Sequence, residues 1–235
     1  MIPSGGEVHE LALGAREARQ LSEAKLLVGI HPTLEPWLGQ WIKGASPKKE
    51  VLWLYGKPLD MGKHVWLEPE EVRGMIKTLH DALKDRGYEV SEDAYNQLIK
   101  ETYSVEKELL SVFGPLPPHR RSFVSQHPGL EGFAGVFGLK VAGTILESPT
   151  AETADPSARH YADLLKAIRS QGVKVVTVDE GRNHAFAQRL ARDAGLQPPV
   201  ALSFEYLQKS GTPGDTWSGM MLLNGRRLAQ ALAQP

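Results

Sequence analysis

The segment "EDAYNQLIKETYSVEKELLSVF", residues 92–113, is followed at residues 114–118 by "GPLPP". Its apolar residues recur at helical spacing for longer than the roughly 10–14 residues of an average helix. The glycine and the prolines that follow do not continue a helix, so they end it firmly. The sequence therefore predicts one long helix that separates two parts of the chain.

Short apolar runs alternate with amphipathic helical patterns on both sides of this long helix. In the first part we predict strands at residues 26–30 and 51–55, an edge strand at 1–3, and helices over 12–24 and 68–86. In the second part we predict strands near 121–125, 139–145, 173–178 and 199–204, and helices near 128–137, 156–171, 182–194 and 215–233.

This alternation predicts an α/β protein of two lobes, each with a mainly parallel sheet flanked by helices, joined by one long rigid helix. We place the N-terminal lobe at residues 1–91, the linking helix at 92–114 and the C-terminal lobe at 115–235. The first lobe shows only two clear strands, whereas a parallel sheet needs both of its faces covered. We therefore expect the N-terminal lobe to be incomplete.

The composition of the 235 residues excludes several classes of protein. A formal net charge of −1 gives no electrostatic reason to expect nucleic acid or an anionic membrane as a partner. The absence of cysteine rules out disulfides, thiolate metal sites and cysteine nucleophiles. No apolar run approaches the roughly 18 residues of a transmembrane helix, and the start of the chain, "MIPSGGEVHE", has no features of a signal peptide.

Histidine is the residue type through which this sequence can bind a metal ion. Of the eight histidines, four stand where a solvated side chain is expected. His80, His160 and His184 lie in predicted helices among polar residues, and His119 lies in the proline-rich linker. His31 directly precedes a proline, and we expect it to help start the next helix.

Three further histidines, His9, His64 and His127, lie at the start of the chain or just beyond predicted strands. Because ligands gather at the carboxyl ends of parallel strands, these side chains can converge on one cleft. Three imidazoles with one carboxylate suit a tetrahedral metal ion. Their spacing alone does not establish such a site, because a compact signature such as HExxH is absent.

The surroundings of His64 resemble a known family. "KHVWLEP", residues 63–69, resembles the His-Val-Trp-Leu-Asp-Pro motif of the substrate-binding proteins of zinc and manganese ABC importers. Further similar segments follow in the order of that family: "GGEVHE" (5–10), "SEAKLLVGIHPTLEPWL" (22–38), "VSQHPGLEGFAGVFGLK" (124–140), "TADPSARHYADLLKAIRSQGVKVVTVDE" (153–180) and "GDTWSGMMLLN" (214–224). The ordered combination runs through essentially the whole chain and is more specific than any single motif.

The resemblance implies a metal site formed by His9, His64, His127 and Glu205. The family has an aspartate in the fourth place, whereas Glu205 keeps the negative charge on an arm that is longer by one methylene. Direct ligation by Glu205 and its replacement by a water molecule are both open at this point.

Asp179 and Glu180, which end another predicted strand, are the other candidates for the fourth ligand, although carboxylates there also suit the N-terminus of a helix. The manganese-selective members of the family carry a carboxylate where His127 stands, and a third imidazole in its place favours zinc. Zinc is therefore the expected ion and manganese the alternative. Trp66 and Phe133 are expected to pack around the ligands and to exclude water.

The resemblance also implies high-affinity binding of the ion and its delivery to an ABC permease for import, with no bond broken. It further implies an extracytoplasmic location, in the periplasm or on the outer face of the membrane, and a monomer. Members of the family carry a leader peptide and a strand-helix-strand unit before the first histidine. Because His9 comes almost at once here, we expect much of the sheet of the first lobe to be missing, in a truncated chain, a mis-started reading frame or an unusually reduced member of the family.

Two other functions stay open at this stage. One is a metal-dependent hydrolase in which the same three histidines hold the ion, a water takes the fourth place and Glu205 acts as general base. The other is a non-catalytic, adhesin-like interaction protein in which the histidines have no shared role.

Overall fold

The computed structural model describes residues 14–45, 50–60, 62–147, 156–181 and 183–234. The helices are α1 Ala15–Glu23, α2 Pro36–Ala45, α3 Pro69–Asp85, α4 Glu92–Phe113, α5 Glu131–Val136, α6 Ala158–Gln171, α7 Ala185–Asp193 and α8 Trp217–Ala233. The strands are β1 Leu27–Gly29, β2 Val51–Trp53, β3 Ser122–Ser125, β4 Lys140–Thr144, β5 Val175–Asp179 and β6 Val200–Leu202. The predicted elements within these residues are present, with ends shifted by a few residues, and the strand predicted at 1–3 lies outside the described residues.

All strand pairs of the described residues are parallel. Strand β1 pairs with β2, and the remaining strands form one sheet in the order β4-β3-β5-β6. Parallel neighbours need a crossover connection, and in the four-stranded sheet α5, α6 and α7 supply it. The predicted α/β class with parallel sheets flanked by helices is therefore confirmed.

Helix α4 is the long helix that the sequence predicts. The Oγ of Ser91 accepts a hydrogen bond from the amide of Ala94 at 3.2 Å, and Glu92 and Asp93 lie at the positive end of the helix dipole. The helix ends before Gly114 and packs against α3 and α8. Across the described part of the chain, the helices lack the length and apolar character that crossing a membrane requires.

Two hydrophobic clusters cover the two faces of the four-stranded sheet. Because side chains alternate along a strand, Phe123 of β3 belongs to one cluster and Val124 to the other. The first cluster also contains Phe113 of α4 and Leu228 of α8. A third cluster joins the segments that follow β1 and β2 to α3 and includes the partly buried Trp66. Packing of these clusters brings together the loops that follow β2, β3 and β6.

Three of the histidines predicted to be solvated are more enclosed than expected. His80 is only 9% exposed, and its ring lies against Tyr95 with centroids 4.2 Å apart. The prediction for His80 is wrong because the start of α4 packs over α3 at this position. His160 and His184 are half-buried, and their Nε2 atoms lie 2.8 and 2.9 Å from carbonyl oxygens at the ends of β4 and β5. His119 is exposed, as predicted.

The crossing of α4 and α8 supplies a test of this packing. A Cβ at Gly225 of α8 would lie 2.3 Å from Cδ2 of Leu109, whereas a Cβ at Gly74 of α3 would meet no atom within 4 Å. We expect Gly225→Ala to lower the free energy of unfolding by about 1–3 kcal/mol through overpacking. Gly74→Ala, the matched control, should raise it by up to about 1 kcal/mol. Urea unfolding measures both values, and equal stability of the two variants would contradict the close approach.

Candidate metal centre

His64 is held by the turn that joins β2 to α3. Gly62 precedes it with a φ of +92°, and the amide of Leu67 donates to the His64 carbonyl oxygen at 2.9 Å. The imidazole, only 2% exposed, stacks on the indole of Trp66 with ring centroids 4.5 Å apart. Nε1 of Trp66 in turn donates to the carbonyl oxygen of Phe204 at 2.8 Å. The orientation of the His64 ring is therefore fixed by packing, and Trp66 takes the packing role that the sequence predicts.

His127 lies just beyond the end of β3 and is 3% exposed. The Oγ of Ser125 donates to the His127 carbonyl oxygen at 2.9 Å, which holds the backbone of this turn. Nδ1 of His127 lies 2.7 Å from the carbonyl oxygen of Pro128. This contact orients the imidazole within the turn.

Gly129 allows the His127 turn to approach the His64 turn. Its φ is +119°, and a Cβ there would lie 2.3 Å from the carbonyl oxygen of Gly62 and 2.7 Å from Nδ1 of His64. A side chain at this position would therefore push the two histidine turns apart. Sequence reasoning did not single out Gly129, because a glycine after His-Pro indicates only a turn. The approach to another loop is a property of the tertiary structure.

Glu205 follows β6 and meets both imidazoles. Its side chain is 7% exposed, and Oε1 lies 3.2 Å from Nδ1 of His127 and 3.8 Å from Nε2 of His64. The two imidazole rings are nearly parallel, 8° apart, with centroids separated by 5.6 Å. One potential ligand atom from each of the three residues lies within 4.8 Å of the others. Nitrogen and oxygen ligands of tetrahedral zinc are about 3.3–3.6 Å apart, so small side-chain adjustments fit the cluster to one ion.

The two other carboxylates considered for the fourth ligand lie outside this cluster. Asp179 is the last residue of β5, and its amide donates to Oε1 of Gln126 at 3.0 Å. Oε2 of Glu180 accepts from Nε2 of Gln208 at 2.9 Å and lies 3.8 Å from Nη1 of Arg227. Helix α7 begins at Ala185 and has no acidic residue in its first turn. The side chain of Glu180 instead supports the loop that carries Glu205.

His9, the first histidine of the predicted set, lies outside the described residues. Within the described residues, His64, His127 and Glu205 are the one group of at least three His, Cys, Asp or Glu side chains with ligand atoms this close together. The structure thus brings three of the four predicted ligands to one place, from segments far apart in the sequence.

His31 and Glu35 have structural roles before α2. Nδ1 of His31 accepts from the amide of Thr33 at 3.1 Å, in the turn that precedes α2. The carboxylate of Glu35 accepts from the amides of Ile30 and His31. Burial raises the pKa of Glu35 from its ordinary value, and these two backbone hydrogen bonds act in the opposite direction.

The parallel α/β fold thus brings two buried histidines and a carboxylate into a group that can hold a metal ion. The family model described as zinc-uptake complex component A, periplasmic, matches residues 1–231 of this chain. The chain belongs to this family, as the resemblance of its motifs implied.

Relatives in this family share the sequence at low identity. The zinc-binding lipoprotein AdcA of Streptococcus pneumoniae (strain ATCC BAA-255 / R6) is 25% identical over 263 residues, covering 100% of this chain and 51% of AdcA. The metal ABC transporter substrate-binding lipoprotein of Lactococcus lactis subsp. lactis (strain IL1403) is 22% identical, covering 100% of this chain and 80% of that protein. The chain therefore spans about half the length of AdcA.

A solved structure shows the same fold. The periplasmic zinc binding protein TroA from Treponema pallidum superposes with a TM-score of 0.81 at 19% identity, and the match covers 100% of this chain and 90% of TroA. At this low identity the likeness supports the architecture of parallel sheets and helices and nothing finer.

The contact between Gly129 and the His64 turn can be tested by stability. We expect Gly129→Ala to lower the free energy of unfolding by about 1–3 kcal/mol, because the added methyl group clashes with backbone and with the His64 ring. For a chain of this length that corresponds to a decrease in Tm of about 2–4 °C per kcal/mol. Gly135→Ala is the control, because a Cβ there would meet no atom within 4 Å. Thermal unfolding that leaves both variants equally stable would rule out the close approach.

Proposed function

We propose that this chain captures a divalent transition metal ion, zinc in preference to manganese, and delivers it to the permease of an ABC importer. The observation that carries the proposal is the buried cluster of His64, His127 and Glu205, whose ligand atoms lie within 4.8 Å of one another. Buried polar side chains at such distances suit a cation better than any apolar ligand.

The proposed ligand set is His9, His64, His127 and Glu205. Three imidazole nitrogens and one carboxylate oxygen complete a tetrahedral shell, which zinc accepts without strain. Manganese prefers oxygen ligands, so this donor set favours zinc over manganese. Oε1 of Glu205 lies near the imidazoles of His64 and His127, so a glutamate side chain, although longer than the aspartate of the family, still reaches the proposed position of the ion.

A filled coordination shell favours capture over catalysis. A zinc hydrolase keeps one position open for a water molecule, whereas the proposed set closes all four. Membership in a family of zinc-uptake components also supports binding without chemistry. The hydrolase in which Glu205 acts as base is therefore the weaker candidate, and the adhesin-like reading does not account for the buried cluster.

The permease and the compartment follow from the relatives. The relative from Lactococcus lactis is described as the substrate-binding lipoprotein of a metal ABC transporter, and the family as periplasmic. By this analogy the chain works outside the cytoplasm and hands the ion to an ABC permease. We also propose that it acts as a monomer and without nucleic acid as a partner.

The lobes at residues 1–91 and 115–235 are proposed to hold the ion between them. His64 comes from the first lobe, and His127 and Glu205 come from the second. Helix α4, which spans 22 residues and packs against α3 and α8, links the lobes as a rigid rod. Such a link favours small adjustments over wide hinge closure.

Zinc titration of metal-stripped protein tests the ligand set. We expect sub-micromolar zinc affinity in the parent protein. Binding should be at least about 100-fold weaker in His9→Ala, His64→Ala, His127→Ala and Glu205→Gln. Even the loss of a residue that only hydrogen-bonds to a metal ligand weakens binding about 10–100-fold, and the loss of a ligand should weaken it more. Isothermal titration calorimetry with zinc and with manganese measures these affinities.

His119→Ala is the control for the titration, because His119 is exposed and is not one of the clustered residues. Parent-like affinity in the ligand variants would refute the site. A hydrolytic activity that Glu205→Gln abolishes without loss of zinc affinity would favour the hydrolase instead.

The rigid link can be tested separately. We expect metal-free and zinc-bound protein to differ by small side-chain and loop shifts, because α4 packs along its length against helices of both lobes. Small-angle X-ray scattering should give the same radius of gyration in the two states within about 1 Å. Crystal forms with and without metal that differ by a large lobe rotation would refute it.

A further inference from the structure

Helix α8 forms hydrogen bonds to two segments that carry proposed ligands. One is the segment of His64 in the first lobe, and the other is the segment of Glu205 in the second lobe. Near the start of α8, Nε1 of Trp217 donates to the carbonyl oxygen of Trp66 at 2.7 Å. Trp66 stands two residues after His64, and its ring stacks on the imidazole. The indole of Trp217 therefore holds the backbone next to His64.

Two turns further along α8, Asn224 holds the segment next to Glu205. Its side chain is 0% exposed, its Oδ1 accepts from the amide of Ser203, and its Nδ2 donates to the Ser203 carbonyl oxygen, both at 3.0 Å. The donor and the acceptor of one backbone residue determine which way the carboxamide points. Ser203 lies just beyond the last residue of β6 and two residues before Glu205. Asn224 thus holds the backbone at Ser203, just beyond the end of β6.

A third hydrogen bond joins the two segments directly, from Nε1 of Trp66 to the carbonyl oxygen of Phe204 at 2.8 Å. Hydrogen bonds thus join Trp217 to Trp66, Trp66 to Phe204, and Asn224 to Ser203, the chain neighbour of Phe204. Positions 217 and 224 are about two turns apart, so both side chains lie on the same side of the helix. A rigid helix therefore sets the separation of the His64 segment from the Glu205 segment.

We propose that Trp217 and Asn224 are positioning residues that set metal affinity and the rate of metal release without touching the ion. The inference rests on the proposed function, since metal binding is its readout. Loss of the Asn224 carboxamide leaves the amide and carbonyl groups of Ser203 unpaired in a buried place, so the segment must shift to regain partners. Because preorganised ligands bind more tightly than ligands that must first be ordered, such a shift weakens binding.

Double-mutant cycles distinguish positioning from general stability. We expect Asn224→Ala to weaken zinc binding about 10–100-fold in the parent protein, mainly through faster dissociation, and to add little further loss in a Glu205→Gln background. The same substitution should keep most of its effect in a His64→Ala background. Trp217→Phe, which keeps most of the aromatic packing and removes the N–H donor, should couple more strongly to His64→Ala than to Glu205→Gln. Calorimetry gives the affinities, and mixing with a chelator gives the dissociation rates.

Met221→Ala is the matched control on the same helix. Met221 is 0% exposed and lies in the hydrophobic cluster beneath α8. Its truncation should lower the Tm while zinc affinity at 25 °C stays within about threefold of the parent value, because packing is lost without loss of a hydrogen bond to either ligand segment. If Asn224→Ala fails to fold, Trp217→Phe carries the same test.

The outcomes separate this inference from the proposed function. If His64→Ala and Glu205→Gln bind zinc as the parent does, the proposed function fails. If those two variants lose affinity while Asn224→Ala and Trp217→Phe keep it, only the positioning role is overturned. Equal losses from Asn224→Ala with and without Glu205→Gln would also overturn it, because they show that the carboxamide acts independently of the carboxylate.

Discussion

The approach of the Glu205 carboxylate to the buried imidazoles of His64 and His127 is the constraint on which the rest of the structure depends. A carboxylate that is 7% exposed loses most of its hydration, and such a loss is tolerated only where other polar groups or a cation replace the water. Bringing the ligand atoms of the three side chains within 4.8 Å requires three separate loops to hold their positions against chain entropy.

The parallel sheets meet that requirement because they align the ends of distant strands. His127 follows β3 and Glu205 follows β6 of one sheet, while His64 follows β2 of the other. Hydrophobic clusters on both faces of the four-stranded sheet fix its strands, and α4 packs against both α3 and α8. The loops then have little freedom of their own. A few side chains can in this way form the candidate site while the apolar interior maintains their geometry.

Hydrogen bonds between the segments add to what packing alone provides. Nε1 of Trp66 reaches the Phe204 carbonyl oxygen while its ring supports His64, so one side chain links segments that are 138 residues apart in sequence. Gly129 contributes in the opposite way, because the absence of a side chain allows two turns to touch. Such contacts join residues with no regular spacing. Helical and strand periodicity, which report only local structure, therefore cannot reveal them.

The sequence by itself determined the order of strands and helices, the long helix α4 and the candidate ligands, because periodicity, capping residues and family motifs are all local signals. It misjudged His80, whose burial depends on the packing of α4 over α3. It also left Glu205, Asp179 and Glu180 as competing carboxylates, since each lies at or just beyond the end of a strand. Only the tertiary structure decided that Glu205 lies beside the histidines, because the distance between side chains depends on how sheets and helices pack, and no local pattern encodes it.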